Sequence, residues 1–198
     1  VNLRLSTMAY NIKDVFYLST KADVTKATAG VGSAQLDLSA YIDPIARGRT
    51  KGTGLAIYKM HFSVLNNDKT NILAPDDGES GILTISMQAG LGIGDNVTGA
   101  VSAGTTAGGF TADNALLVGA GTYYSPSSYP GAVAAFQEYM APSKDVPYVI
   151  VRDNVCLVYC VDAAKTMVDD VEIAVRMECA QISLDQATLN QLLRTQTV

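Results

Sequence analysis

The clearest pattern along the chain lies at residues 171–182, where apolar side chains alternate with mostly polar ones over about ten residues. Side chains two residues apart share one face of a strand, whereas a helix would scatter them around its circumference. The pattern therefore predicts a strand with one buried face and one mostly wet face. The predicted core positions are Val171, Ile173, Val175, Met177 and Cys179, with Arg176 on the opposite face.

Similar patterns predict further strands at 55–65 and 82–89. In the first, one face is predicted to carry Ala56, Tyr58, Met60, Phe62 and Val64, and the other Lys59, His61 and Ser63. In the second, the predicted buried face carries Leu83, Ile85, Met87 and Ala89. Weaker signals indicate strands near 12–19 and 115–118. Residues 35–41 fit either a short strand or a helical turn.

Two apolar segments, 147–152 and 155–162, are separated by Asp153 and Asn154, which both tolerate turn conformations. This spacing predicts a β-hairpin. The second segment is apolar on both faces, so we expect it to lie centrally in a sheet or to be covered on both sides. Residues 132–140 are compatible with either a short helix or a strand.

The end of the chain predicts a helix that begins at an N-cap, Ser183. Its apolar stripe comprises Leu184, Leu189, Leu192 and Leu193. Seven to nine strands without repeated αβ alternation predict an all-β fold, an antiparallel β-sandwich of the jelly-roll or Greek-key class with a short C-terminal helix. The predicted divisions are an N-terminal arm at 1–33, a β-sandwich at 34–182 with a glycine-rich surface loop at 90–115, and the C-terminal helix at 183–198.

Composition refines this picture. Only 17% of the residues are charged, below the roughly 25% typical of soluble domains, which is typical of a subunit packed among neighbours. The net charge of -5 argues against wholesale binding of nucleic acid, and we expect no sequence-specific contact with it. The longest apolar run, Val155–Val161, is too short to span a bilayer. The sequence begins with Val1, so we expect a processed or truncated chain.

The three cysteines are Cys156, Cys160 and Cys179. On one strand, the first two would lie about 13 Å apart, beyond the reach of a disulfide. We therefore expect free, buried thiols that act as small apolar side chains.

The sequence offers little catalytic chemistry. The glycines at 90–94 lack the spacing of a nucleotide-binding loop. His61 is the only histidine, too few for a typical transition-metal site, so we expect a surface or interface histidine, no enzyme and no cofactor. Asp76, Asp77 and Glu79 offer oxygen ligands without EF-hand spacing. A solvated turn is favoured there, with calcium as the alternative.

Three groups of residues are candidate contact sites. A cationic loop fits phosphate, carboxylate, lipid headgroups or an intersubunit ion pair. A tyrosine cluster fits a sugar, a partner or plain loop packing. The stripe on the C-terminal helix fits a neighbouring subunit, because we expect helix and arm to lie outside the core. The residues are Arg47, Arg49 and Lys51; Tyr123, Tyr124 and Tyr129; and Leu189, Leu192 and Leu193.

The order of these features resembles a known family. A polar arm, the segment LDLSAYIDP at 36–44, the long strand IYKMHFSV at 57–64, a Gly/Ala-rich loop, a strongly alternating last strand and a short terminal helix follow one another. This layout resembles the single jelly-roll major capsid proteins of icosahedral viruses that infect archaea or bacteria.

The resemblance implies a structural protein of the virion, a homo-oligomer that tiles an icosahedral shell. Its partners would be other copies of itself, other virion proteins and, in some such viruses, an internal lipid membrane. It implies no catalytic residues. Two other classes stay open: a carbohydrate-binding or adhesive β-sandwich with the tyrosine cluster as its site, and a surface-layer or appendage subunit.

Overall fold

The computed structural model describes residues 14–25, 30–43, 51–66, 81–89, 114–125, 135–161 and 170–196. Within these ranges the chain forms β-strands and one helix. The strands are β1 (Phe16–Val24), β2 (Gly30–Asp37), β3 (Lys51–Asn66), β4 (Gly81–Ala89), β5 (Leu117–Ser125), β6 (Ala135–Met140), β7 (Tyr148–Ile150), β8 (Asn154–Val161) and β9 (Val171–Asp185). The helix, α1, is Gln186–Thr195.

The strands form two antiparallel sheets. Sheet A has four strands in the order β1-β9-β3-β7, and sheet B has five in the order β2-β8-β4-β5-β6. Successive strands change sheet everywhere except along β4, β5 and β6. With β6 set aside as an added edge strand, two four-stranded sheets with this order are a jelly roll. The predicted all-β sandwich with a short C-terminal helix is confirmed.

β9 lies between β1 and β3 and pairs with both. Its alternation is reproduced in the structure, since every predicted core position from Val171 to Cys179 is at most 2% exposed. Arg176 is exposed on the outer face of sheet A. The pattern arises because sheet A is covered on one face by sheet B, while the opposite face of this part of β9 is partly open to solvent.

The core fills the space between the two sheets. Completely buried apolar side chains come from strands of both sheets, and each contributes roughly 1.5–3 kcal/mol by leaving water. The largest include Leu55, Ile57, Leu83, Ile85, Met87, Leu157, Ile173 and Met177. The predicted buried face of β4 is confirmed, with all four of its positions in this core.

β3 differs from its predicted facing because its pairing with β9 contains a register shift, an irregularity of the bulge type, between Ile57 and Lys59. A bulge adds one unpaired residue, so the side chains before it change face relative to those after it. Ala56 and Tyr58 consequently pack with Ala180, away from the main core. The prediction was wrong for these two residues and correct for the positions after the bulge.

The predicted hairpin at Asp153 and Asn154 does not form. β7 pairs with β3 in sheet A, whereas β8 lies between β2 and β4 in sheet B. The segment between them is a corner between sheets, held where the Leu38 N–H donates to the Asp153 carbonyl at 2.6 Å. Its turn residues suit the bend, but long-range pairing decides the partner strands. The predicted central position of β8 is confirmed.

Other boundaries also differ. The strand expected near 12–19 is β1, which runs to Val24. The undecided segment 132–140 contains strand β6. The strand expected at 115–118 is β5, which continues to Ser125. Most of the glycine-rich loop at 90–115 lies outside the described residues.

The C-terminal helix begins later than predicted, because β9 continues to Asp185. This residue, not Ser183, is the N-cap, and its Oδ1 accepts a hydrogen bond from the Thr188 N–H at 2.7 Å. The bond favours the carboxylate, and with help from the nearby charge of Lys51 it lowers the pKa of Asp185 below the ordinary 3.8.

We expect the cap to make the stability of α1 depend on pH. A carboxyl group with a lowered pKa in the folded state stabilises the fold above 3.8, and this contribution is lost as the pH falls through the folded value. Asp185→Asn should keep the cap and lose this dependence, since asparagine caps helices well. Asp185→Ala should be less stable than the wild type at pH 7. Thermal melts at pH 7 and pH 3 measure both effects, and an unchanged pH dependence in Asp185→Asn would contradict the assignment.

The helix packs against its own chain. Leu189 is completely buried in a small cluster with Val151 and Leu184. The side chain of Gln196 donates to the Val149 carbonyl at 2.6 Å and accepts from the Val151 N–H at 3.1 Å. This cluster is separate from the main core between the sheets. The apolar stripe of α1 packs on the outer face of sheet A, near the end of β9.

Candidate functional site

Of the three residues of the cationic loop, the structure describes only Lys51. Arg47 and Arg49 lie outside the described residues. Lys51 is exposed at the start of β3, directly across from Asp185 of β9. Its charge therefore faces a carboxylate of its own chain.

The predicted tyrosine cluster does not form from its first two members. Tyr123 and Tyr124 lie in β5 and not in a loop, so their side chains point to opposite faces of sheet B. Tyr123 packs into the core, where burial raises its pKa to about 12. Tyr124 is 43% exposed. Tyr129 lies outside the described residues.

The helix stripe offers little surface to a neighbour. Leu189 is inaccessible, and Leu192 and Leu193 are partly buried against the same cluster. The acidic residues Asp76, Asp77 and Glu79 lie outside the described residues. Within the described ranges, no group of three or more His, Cys, Asp or Glu side chains is placed to hold a metal ion. Over the same ranges, no helix has the length and hydrophobicity needed to cross a bilayer.

The cysteines are free thiols, as predicted. Cys156 and Cys179 are buried, and Cys160 is partly buried. Burial raises the pKa of Cys156 to about 11 and that of Cys179 to about 12. Thiolate is the reactive form, so these two cysteines are poor nucleophiles in the folded chain.

An open groove of about 720 Å³ crosses the outer face of sheet A. We call it the sheet A groove. It runs over β1, β9 and β3, whose outward side chains are aligned by strand register. Short side chains, Ser19, Ser63 and Ala174, form its low part. Longer ones rise around them: Tyr17, Lys21, His61, Arg176 and Glu178.

The charges of the sheet A groove are mostly paired. Lys21 Nζ lies 2.9 Å from Glu172 Oε2, and this contact raises the pKa of Lys21. His61 Nε2 lies 3.2 Å from Glu178 Oε1. Both pairs join strands that are distant in sequence, so they pin the register at the solvent-facing surface. His61 is a surface residue, as expected from its position on the polar face of β3.

Arg176 is arranged differently. Its guanidinium carbon lies 5.6 Å from the centroid of the Tyr17 ring, within the range of a cation–π contact. Within the described residues it has no carboxylate at ion-pair distance. The Arg176 side chain is thus oriented by an aromatic ring while its N–H groups stay available.

Sequence reasoning did not find this groove. The sequence pattern assigns its polar residues only to the solvent-facing sides of separate strands and does not place these strands side by side. The available signal is the occurrence of serine and alanine among longer polar residues on β1, β3 and β9. Their alignment depends on pairing between strands more than 100 residues apart.

A second exposed feature lies on the outer face of sheet B. Ile82 of β4 and Tyr124 of β5 are paired in register and are 45% and 43% exposed. Beside them, β6 is the outermost strand of the sheet. An exposed apolar pair next to an edge strand is a surface on which another chain can pack.

No protein-family model and no curated protein matches the sequence. Among solved structures, the chain is similar to VP1 of Trichodysplasia spinulosa-associated polyomavirus, solved in complex with sialylated precision glycooligomers. The TM-score is 0.38 and the identity 7%, over 88% of this chain and 96% of that chain.

A second similar structure is that of Turnip Yellow Mosaic Virus, with a TM-score of 0.27 and 11% identity, over 88% of this chain and 99% of that chain. Both neighbours come from viruses. The assignment of the jelly roll rests on the strand order of the two sheets and not on these similarities.

Proposed function

We propose that this chain is the structural subunit of a virus shell. The observation that carries the proposal is the jelly-roll strand order of its two sheets. Jelly rolls serve as viral capsid domains, lectin domains and cupins. Cupins hold a metal with several histidines inside the roll, whereas this sequence has one histidine, and apolar side chains fill the space between its sheets.

The outer surface supports packing against other copies. Few residues are charged, and the pair Ile82 and Tyr124 presents apolar area beside the edge strand β6. A standard interface buries about 800 Å² per partner, and a shell subunit has several neighbours. Weak individual contacts therefore add up over many partners, while assembly covers exposed strand edges.

The proposal extends to the finer features that the sequence resemblance implies. The shell is icosahedral, the chain is its major subunit in the virion, and its partners are further copies, other virion proteins and an internal lipid membrane. We propose a structural role without enzymatic activity. The net charge of -5 supports a shell that encloses its genome without wholesale neutralisation of nucleic acid by this chain.

Imaging the assembly tests the proposal. Native particles and purified full-length protein should both contain closed shells in negative-stain micrographs, and light scattering should report a large assembly that forms with rising concentration. Protein that stays monomeric in both preparations would refute the shell and favour a carbohydrate-binding or adhesive module. Open lattices or filaments would favour a surface-layer or appendage subunit.

We expect Ile82→Lys to prevent assembly while leaving the subunit folded. The side chain is 45% exposed, so a lysine is solvated in the monomer but loses its hydration in a contact. Gln191→Lys, on an exposed position of α1, is the matched control and should assemble normally. Light scattering measures both, and circular dichroism checks the fold. Normal shells from Ile82→Lys would remove this surface from the proposed contacts.

A further inference from the structure

We propose that the sheet A groove binds a sugar that carries one carboxylate group, such as a uronic acid. The inference goes beyond the shell function and does not depend on it. The groove volume, about 720 Å³, is within the roughly 300–1,000 Å³ of small-molecule sites. This space accommodates a short saccharide and is open to solvent along one side.

Arg176 is the element that selects an anionic group. Lys21 and His61 are already paired with carboxylates of the chain, whereas the Arg176 guanidinium lies against the Tyr17 ring. A guanidinium donates two parallel N–H bonds to a carboxylate, and stacking on an aromatic ring holds its plane in place. One oriented, unpaired cation matches a ligand with one negative charge.

The rest of the groove matches hydroxyl groups. Ser19 faces Arg176 across β1 and β9, and Ser63 faces Ala174 across β3 and β9. Their hydroxyls both donate and accept hydrogen bonds. Glu178, whose side chain is only 18% exposed, accepts from sugar hydroxyls. Tyr17 is 57% exposed, so its ring offers apolar surface to the carbon face of a sugar.

The same charges disfavour a polyanion. Glu178 lies within the groove, and Glu172 and Asp23 form the adjoining row of the outer face, paired in register with each other. A nucleic acid strand would bring one phosphate after another past these carboxylates. Among the described residues of this face, few cations without an ion pair could receive them: Arg176 in the groove and Lys59 beside it, in register with Glu178. A single carboxylate on an otherwise neutral, hydroxyl-rich molecule avoids this repulsion.

The depth of the groove comes from Ala174. It lies between Lys21 of β1 and Ser63 of β3 in the register of sheet A. A larger side chain at this position would fill the low part of the groove without changing any charge. Ala174→Leu therefore tests the shape of the site separately from its electrostatics.

Equilibrium dialysis of the full chain with labelled glucuronate tests the proposal, because it works equally for monomers and shells. We expect saturable binding of one glucuronate per chain in the millimolar range. Glucose and inorganic phosphate should each bind at least about tenfold more weakly. Glucose lacks the carboxylate that Arg176 binds, and phosphate lacks the sugar ring and its hydroxyls.

Variants locate the site. Arg176→Gln and Ala174→Leu should each weaken glucuronate binding by about tenfold or more. Arg176→Lys should lose less affinity, because lysine keeps the positive charge but lacks the two parallel N–H donors of the guanidinium. Arg194→Gln, on an exposed position of α1, is the control and should bind like the wild type. Circular dichroism verifies that each variant is folded.

Three results would overturn the inference. The first is absence of saturable glucuronate binding by the wild type. The second is phosphate binding as tight as glucuronate, which would indicate a generic anion contact. The third is equal loss in Arg176→Gln and Arg194→Gln, which would place the binding elsewhere. Because dialysis and imaging are separate readouts, failure here is distinguishable from failure of the shell proposal.

Discussion

Replacing Met177 with alanine should lower the free energy of unfolding by about 2–5 kcal/mol. Met177 is completely buried between the sheets, on the strand that joins β1 to β3. Truncation removes apolar contacts and leaves a cavity, because the paired strands on both sides limit how far the core can collapse. Denaturant melts with a constant slope measure the change.

Arg176→Ala is the matched control, one residue away on the opposite face of the same strand. Its loss removes a cation–π contact at an exposed site, so we expect a cost below about 1 kcal/mol. Equal costs at the two positions would contradict the facing of β9. A large difference confirms that the alternation, and not the strand as a whole, determines the stability at each position.

Leu189→Ala should cost a similar amount, about 2–5 kcal/mol. Leu189 is the buried side chain of α1 and packs on Val151 and Leu184. Gly52 makes this approach possible, since a Cβ atom there would lie 2.8 Å from Leu189 Cδ2. The truncation therefore opens a cavity between α1 and the outer face of sheet A, and it loosens the helix.

Gln191→Ala provides the comparison within the same helix. Gln191 is exposed, and alanine is a good helix former, so its melt should match the wild type within about 0.5 kcal/mol. If both variants melted alike, α1 would be a peripheral element, as its sequence position first indicated. Loss of stability in Leu189→Ala alone makes the helix part of the folded subunit.

The sequence predicts those features that depend on local periodicity. The alternation in β9 identifies its buried face, because only one face of a strand can meet the core. The same reasoning fails in β3, since a bulge near Ile57 changes the facing without altering composition. At Asp153 and Asn154 the turn chemistry is real, but the strands on either side find partners in different sheets.

The groove and the helix contacts depend on long-range register. Ser19, Ala174 and Ser63 become neighbours only when β9 is inserted between β1 and β3. Likewise, the sequence alone places Leu189 in an apolar stripe of a peripheral helix. Its burial becomes evident only when Gly52 and Val151 are placed next to it. Such juxtapositions involve residues distant in the chain, and no local pattern of one sequence encodes them.

The position of β9 in sheet A has a consequence for synthesis on the ribosome. β1 and β3 are made early, yet in sheet A they are joined only through β9, the last of the described strands. Lys21 cannot form its ion pair until Glu172, 151 residues later in the chain, has been synthesised. Domains rich in such distant pairings fold slowly and expose unpaired edges meanwhile. Sheet A can therefore complete its strand pairing only after β9 has left the exit tunnel, and until then β1 lacks its partner strand.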